Sequence, residues 1–531
     1  MIPNHINRRT LLKTTAAAGA AAMAPIPARG AANYRRKNVN SPGAKRDVES
    51  YMKAVEVMLG LDPDHPHNWY RNAFTHLMDC PHGNWWFLAW HRGYLGYFEE
   101  TCRKLSGDAS FALPYWDWTA DPEVPPVLFD TVLDPDNSSL YIKDTADFEK
   151  KLNAPMTAYW EGLTTPQRTE QYKRCFPAFE TMWQDAISSF AEQPHGRFLT
   201  KANPKLDENT AEAVSIDTVL SALKPTIFAV EIDDKTPAFN SIITETHQTA
   251  QTGFSLLEGQ PHNKVHNNTG GSVDDKGAIV PPYGFMTQFL SPIDPMFFLH
   301  HGNIDRLWDV WTRKQIAIGE PTGPADEDAK AFNSEPFLFY FDADENQVTS
   351  TAGEFLEIGA FDYDYEPGSG EEAIQVPVAA LQAPLASSAV VSASSLSDGA
   401  VATINVPDAL LKSVRAPSEE RRQFARITFT PPMDVAGTSF RVFISPKDVA
   451  PDLSRDSVEY AGSFEFFGLR HKHVGPVTFT LGIDKTLDRM EAAGLLQPGQ
   501  PISFTVIADG SGVSTDGKMK GTLEAVDVTV L

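Results

Sequence analysis

The spacing of apolar residues changes character once along this chain. Up to about residue 366 the clearest stretches have the helical period: Ser50–Leu59, His91–Leu105, Gln171–Ala191 and Pro295–Arg313 place apolar side chains three and four apart. They predict amphipathic helices, wrapped by long loops rich in Pro, Gly and Asp such as Asp121–Asn137 and Gly270–Pro282. From about residue 399 the period falls to two. Phe424–Thr430, Ser439–Ile444, Val477–Ile483, Ile502–Ala508 and Leu523–Leu531 alternate between turn residues and read as short strands. The segment 367–398 is rich in Ala, Ser and Glu and poor in large apolar residues, so it reads as a linker. The expected architecture is a mainly α domain over 33–366 and a C-terminal all-β, sandwich-like domain over 399–531.

Composition narrows the function. A chain of 531 residues has room for two or three domains. A formal charge of −24 with no basic stripe argues against a nucleic-acid partner and favours solubility. Three cysteines make no disulfide framework. The start, Asn7-Arg8-Arg9-Thr10-Leu11-Leu12-Lys13 followed by an Ala-rich run, has the form of a twin-arginine export signal over residues 1–32. That run is too short and too interrupted for a membrane span. It implies a bacterial protein exported already folded, to the periplasm or the medium.

The chemistry lies in histidines. One cluster reads His76-Leu-Met-Asp-Cys80-Pro-His82 and continues to His91-Arg92; a second reads Glu258-Gly-Gln-Pro-His262-Asn263-Lys-Val-His266 and resumes at His300-His301-Gly-Asn-Ile-Asp305. All-imidazole sites with no thiolate quartet or carboxylate cluster favour copper, and two such sets suggest a metal pair with open positions for a small molecule. His262 and His266, four apart, share a helix face, as do His301 and Asp305. A metal-bound imidazole usually donates its other N–H to a fixed acceptor, a role open to Asp305 or a backbone carbonyl.

These strings, with Phe111-Ala-Leu-Pro-Tyr-Trp-Asp-Trp118 and Tyr363-Asp-Tyr365, resemble the type-3 copper family of tyrosinases, catechol oxidases and molluscan-type haemocyanins. The resemblance implies His76, His82 and His91 as ligands of a first copper and His262, His266 and His301 as ligands of a second, on helices of a four-helix bundle. His65 and His67 are an alternative to His76, and His300 reads as a buried, hydrogen-bonded neighbour. The resemblance also implies a thioether from Cys80 to His82, the other reading being a free buried thiol. Arg35 or Arg36 is the expected partner of the tyrosine motif.

By the same resemblance, dioxygen is the co-substrate and phenolic small molecules are the substrates. Glu258 and Asn263 match a pair that holds a water able to take the phenol proton, though Glu258 could also brace the helix carrying His262. The expected activity is ortho-hydroxylation of monophenols and oxidation of o-diphenols to o-quinones. A catechol or o-aminophenol oxidase and a haemocyanin-like O2 carrier are the alternatives. Tyr460-Ala-Gly-Ser-Phe464 resembles the C-terminal domain of plant polyphenol oxidases, which implies latency, with Phe466 or Phe467 as the plug or else as inter-domain core. His471 and His473 read as surface residues, with copper delivery as the alternative. A copper chaperone and a homo-oligomer are left open as partners.

Overall fold

The computed structural model describes residues 32–191, 196–273, 279–324, 326–375, 385–396, 399–404, 422–432, 438–468, 475–497, 500–509 and 521–531. The twin-arginine motif, His471 and His473 lie outside the described residues.

Strand β1 (Tyr34–Arg36) leads into helices α1 (Lys45–Gly60), α2 (Trp69–Asp79), α3 (Phe87–Ser106), α4 (Thr145–Gly162), α5 (Thr165–Lys173) and α6 (Phe179–Ala191). After α7 (Glu208–Ala213) and α8 (Ile216–Leu223) come a two-residue strand β2 (Gly253–Phe254), α9 (Asn263–Gly270) and the hairpin β3 (Gly271–Val273) with β4 (Ile279–Tyr283). Helices α10 (Met296–Ile318) and α11 (Asp326–Ser334), the small ladder β5 (Pro336–Phe337) with β6 (Ser350–Thr351), and β7 (Tyr363–Tyr365) complete the helical part. Strand β7 returns to pair in parallel with β1, Tyr34 opposite Tyr363, and so ties the two ends of this part together.

The helical period located α1, α3 and α10 well. Gln171–Ala191, read as one helix, is two: α5 stops at Lys173, Cys175 adopts a left-handed backbone (φ 67°), and Pro177 follows before α6 begins. The core of this part is strongly aromatic, with Trp69, Trp86, Trp90, Trp116 and Trp308 all essentially inaccessible.

Strands β8 (Leu385–Ser388), β9 (Val390–Ala393), β10 (Ala400–Ile404), β11 (Gln423–Thr430), β12 (Ser439–Pro446), β13 (Tyr460–Glu465), β14 (Val477–Gly482), β15 (Ile502–Asp509) and β16 (Thr522–Val530), joined by β2, form two five-stranded sheets. Their orders are β13-β12-β15-β10-β9 and β2-β14-β11-β16-β8. One buried cluster, including Phe440, Val442, Phe504 and Val506 of the first sheet and Ile427, Phe429, Phe479 and Val526 of the second, fills the space between them. Two expectations are corrected. The stretch read as a linker supplies β8 and β9, because strands on sheet edges need few large apolar residues. Among the described residues the β domain also contains a helix, α12 (Asp484–Ala492).

The two parts share structure. Strand β2 belongs to the helical half, yet it pairs in parallel with β14, Phe254 opposite Phe479, as the edge of a C-terminal sheet. The chain reaches β2 across Gly83, where a left-handed φ of 67° and a close approach leave no room: a Cβ there would lie 2.6 Å from Thr252 Cβ.

Candidate metal centre

The structure gathers both histidine sets into one buried chamber. His76 lies in the last turns of α2, a helix whose N-cap Asn68 accepts from the Tyr70 and Arg71 amides. His91 lies in the first turn and a half of α3, and its Nδ1 donates to Phe87 O at 2.8 Å, one turn back. His82 sits between them on the loop from Cys80 to Trp86, with Cys80 Sγ 3.6 Å from its Nδ1. His262 ends a π-helical turn over Glu258–His262 that includes Pro261, a widened turn of the kind often found at functional sites. His266 follows on α9, and His300 and His301 stand in the first turns of α10.

The donors explain why this chamber fits metal ions. His76 Nδ1 donates to Phe289 O at 2.7 Å and His266 Nδ1 to Met286 O at 2.7 Å. A carbonyl can only accept, so these contacts fix the tautomer and leave Nε2 as a bare lone pair. The bare Nε2 atoms then face other imidazoles: His76 and His91 meet Nε2 to Nε2 at 3.4 Å, and His266 and His301 at 3.1 Å. For His76 and His91, whose Nδ1 protons both go to carbonyls, neither Nε2 can donate to the other. His82 Nε2 and His262 Nε2 are buried with no hydrogen-bond partner among the described residues. Such convergence is costly unless a cation accepts the lone pairs. Burial holds His76, His82, His91, His266 and His301 well below the ordinary histidine range; it takes His262 down to about 3 against the opposing bond from Asn263. Neutral imidazole is the form that binds metal.

The remaining candidates separate clearly. His65 and His67 are remote from this chamber, on the turn beside Glu345. His300 is buried as expected, but the hydrogen bonds expected of it are absent: both ring nitrogens lack a partner among the described residues. One of its nitrogens lies within 4.8 Å of ligand atoms of His262, His266 and His301, so it borders the second set. Of the two acceptors open to a ligand imidazole, Asp305 or a backbone carbonyl, the carbonyl is the one used, and Asp305 serves another purpose. Its carboxylate accepts from Arg92 Nε at 2.6 Å, Arg36 Nη1 at 3.2 Å and the hydroxyls of Tyr363 and Tyr365. Burial alone would raise its pKa, but Arg92 and Arg36 bring it below the usual carboxylate value. The acceptors used by the histidines are backbone carbonyls and Asn263 instead. Of the two candidate arginines, Arg36 is the buried partner of the tyrosine motif, bonded to Glu99 and Tyr365 and lying 3.6 Å over the Tyr363 ring; Arg35 pairs outside with Asp364.

Glu258 and Asn263 line the same chamber. A Glu258 carboxylate oxygen lies within 4.8 Å of nitrogens from His82 and His262, one from each set. It accepts from the Gly83 amide at 2.7 Å and from the Ser241 hydroxyl. Burial raises its pKa, those two bonds oppose the rise, and the net value is about 8. Asn263 accepts from His262 Nδ1 at 2.9 Å and donates to Glu465 O at 2.9 Å.

That last bond belongs to a polar seam. Gln260 donates to Ser463 O, Lys264 to Ser463 Oγ and Asn267 to Phe466 O, so the face of the His262–His266 segment not turned to the chamber is taken up by residues 463–466 of the β domain. The seam delivers Phe467, whose ring lies 4.3 Å from His266, 4.7 Å from His82 and 5.4 Å from Phe289. Phe466 points the other way, onto Phe254 and Phe479 in the sandwich core. Gly468 permits the approach: its φ is +73°, and a Cβ would fall 2.5 Å from the Phe289 ring.

Comparison with known proteins agrees with this geometry. Residues 58–314 match the model described as the common central domain of tyrosinase, and residues 5–25 match a twin-arginine translocation pathway signal sequence. The chain is 25% identical over 488 residues to a chloroplastic polyphenol oxidase of Malus domestica, which covers 84% of this chain and 70% of that one. It is 25% identical over 295 residues to a tyrosinase of Hahella sp. strain CCB-MM4, covering 49% of this chain and 50% of the relative, so it spans about half that protein's length. The fold is similar to that of latent apple tyrosinase, with a TM-score of 0.54 at 18% identity over 95% of this chain and 98% of the other. The export signal directs the protein through the twin-arginine route to the periplasm or beyond. No helix among the described residues is long and apolar enough to cross a membrane.

Proposed function

The chain belongs to the tyrosinase family of type-3 copper proteins, and on that premise we propose that it uses dioxygen to hydroxylate monophenols at the ortho position and to oxidise o-diphenols to o-quinones. The observation that carries the reading is the buried all-imidazole chamber, in which bare Nε2 atoms from two trios converge beside Glu258. His76, His82 and His91 would hold one copper and His262, His266 and His301 the other. His301 is preferred to His300 because its Nε2 faces that of His266. The ion pair would supply the binding and reduction of dioxygen.

The chain's own residues do the rest. A free phenol has a pKa of about 10, so the substrate must lose its proton to react well. Glu258 takes that proton through one water, oriented by the Asn263 amide, while Asn263 Oδ1 keeps the His262 ring in place. Backbone carbonyls of Phe87, Phe289 and Met286 orient three more rings. A thioether between Cys80 and His82, whose atoms stand 3.6 Å apart, would fix the one ligand that lies on a loop.

Residues 33–366 form the catalytic unit in this reading, and residues 399–531 form a domain that keeps the enzyme latent. Phe467 occupies the place of a substrate ring above His82 and His266, while Phe466 is only core. One observation favours a second reading, a catechol or o-aminophenol oxidase: while the domain is docked, Asn263 is engaged by both His262 and Glu465 O, which leaves it poorly placed to hold a water. Oxygen uptake by the Phe467→Ala variant, with tyrosine and with catechol in turn, tests both. Consumption with both substrates supports the first reading, and consumption with catechol alone supports the second. Reversible oxygen binding without turnover of either would indicate a carrier.

A further inference from the structure

The loop that presents His82 is held from behind by one guanidinium. Helix α5 ends at Lys173 with Arg174 as its C-cap, and the left-handed turn at Cys175 redirects the chain there. Arg174 thereby lies against the C-terminal end of α2, where carbonyls lack helical partners. Its Nε donates to Leu77 O at 2.8 Å and its Nη1 to Cys80 O at 2.7 Å and Gln248 Oε1 at 3.0 Å. Its Nη2 donates to Cys80 Sγ at 3.4 Å. Neighbouring groups grip the same turn without touching the sulfur: Gln171 Nε2 donates to Met78 O, and Gln248 Nε2 to Asp79 Oδ1. The rigid fork of arginine suits this task, because it can hold a backbone carbonyl and the side-chain sulfur of the same residue at once.

We propose that Arg174 is the positioning residue for a covalent Cys80–His82 bond, aiming Sγ at the imidazole edge. The proposal rests on the thioether reading above. In the step, Sγ bonds to His82 Cε1, the ring carbon between the two nitrogens and the only neighbour of Nδ1 that carries a hydrogen. The thiol hydrogen and the Cε1 hydrogen leave as two protons and two electrons, and dioxygen, the oxidant of the family's own reaction, accepts them to give hydrogen peroxide. Arg174 acts through Cys80 and does not touch the substrate.

The test is peptide mass spectrometry of full-length protein folded with copper in air, following the Cys80–His82 peptide. Wild type is expected to lose two hydrogen masses on that peptide. Arg174→Met is expected to keep most of it uncross-linked, with at least a fivefold drop in the cross-linked fraction. Arg174→Lys, which keeps one donor head, should fall between. Gln171→Met loosens the same turn but leaves every bond of the Arg174 guanidinium in place, and should cross-link like wild type. It separates positioning from general destabilisation, and Arg174→Lys preserves the test if Arg174→Met does not fold. A wild type without the mass loss overturns the thioether reading and the proposal with it. A cross-linked wild type alongside equally cross-linked Arg174→Met and Arg174→Lys overturns the role of Arg174 alone.

Discussion

The two histidine trios solve one problem by different means. The second is carried by a continuous π-to-α segment and by α10, so helix geometry sets His262, His266 and His301, and the outer face of that segment is fastened to the β domain. The first has only two of its members on helices. His82 sits on a loop, and the clamp around it comes from side chains distant in sequence: Arg174, Gln171 and Gln248 on the Leu77–Cys80 turn, and His247 on Asp79. A helix needs little beyond itself to aim two residues four apart, whereas a loop ligand needs a second layer of bonds, and that layer is what a sequence motif hides.

The comparison can be broken at graded cost. The largest effect is expected from removing one ligand on either side: His91→Ala and His266→Ala should each lower catechol oxidation by about a thousandfold or more, because neither half works alone. Next is Asp305, which serves both halves at once, since it binds Arg92 beside His91 and stands one turn after His301. Asp305→Ala leaves Arg36 and Arg92 buried without their shared carboxylate. It should cost about 3–5 kcal/mol in urea unfolding, and an unchanged midpoint would show that the cluster is not a common support.

A third change reaches the first half only. His247 is buried between Asp79 at 3.1 Å and Glu335 at 2.6 Å; burial lowers its pKa, but the two carboxylates raise it further, to about 9. Because this folded value lies above the unfolded one of about 6.5, the stabilisation is full below pH ~6.5 and is lost as pH rises through about 9. The unfolding free energy should therefore fall across that window by an amount on the order of 3 kcal/mol, and His247→Gln should flatten the profile. The smallest effect concerns the ring laid over both halves. Phe467→Ala should raise catechol turnover roughly tenfold by populating the open chamber; Phe466→Ala should open nothing and should destabilise the sandwich core. Equal activation by both would erase the distinction between plug and core.

Much of this was legible in the residues, and the remainder failed for identifiable reasons. The histidine motifs named the groups that the fold brings together, and period-two alternation located the sandwich strands. The same alternation separates the two phenylalanines: Phe464 and Phe466 share parity and face the core, so Phe467, just past the end of β13, faces out of it. Asp305 misled because helical spacing puts it on the face of His301, while its partners Arg36 and Tyr363 come from distant parts of the chain. Edge strands β8 (Leu-Ala-Ser-Ser) and β9 (Val-Val-Ser-Ala) are only four residues each, too short for alternation to stand out from the Ala/Ser-rich stretch around them. The Arg174 clamp was invisible for a similar reason, because a lone arginine after a short helix has no motif.

Everything turns on two metal sites within one chamber. Copper analysis of full-length protein folded with excess copper, for wild type and for His91→Ala and His266→Ala, addresses this directly. Two coppers per chain in the wild type and one in each variant is the expected result. A single copper in the wild type, or two retained in both variants, would contradict the account.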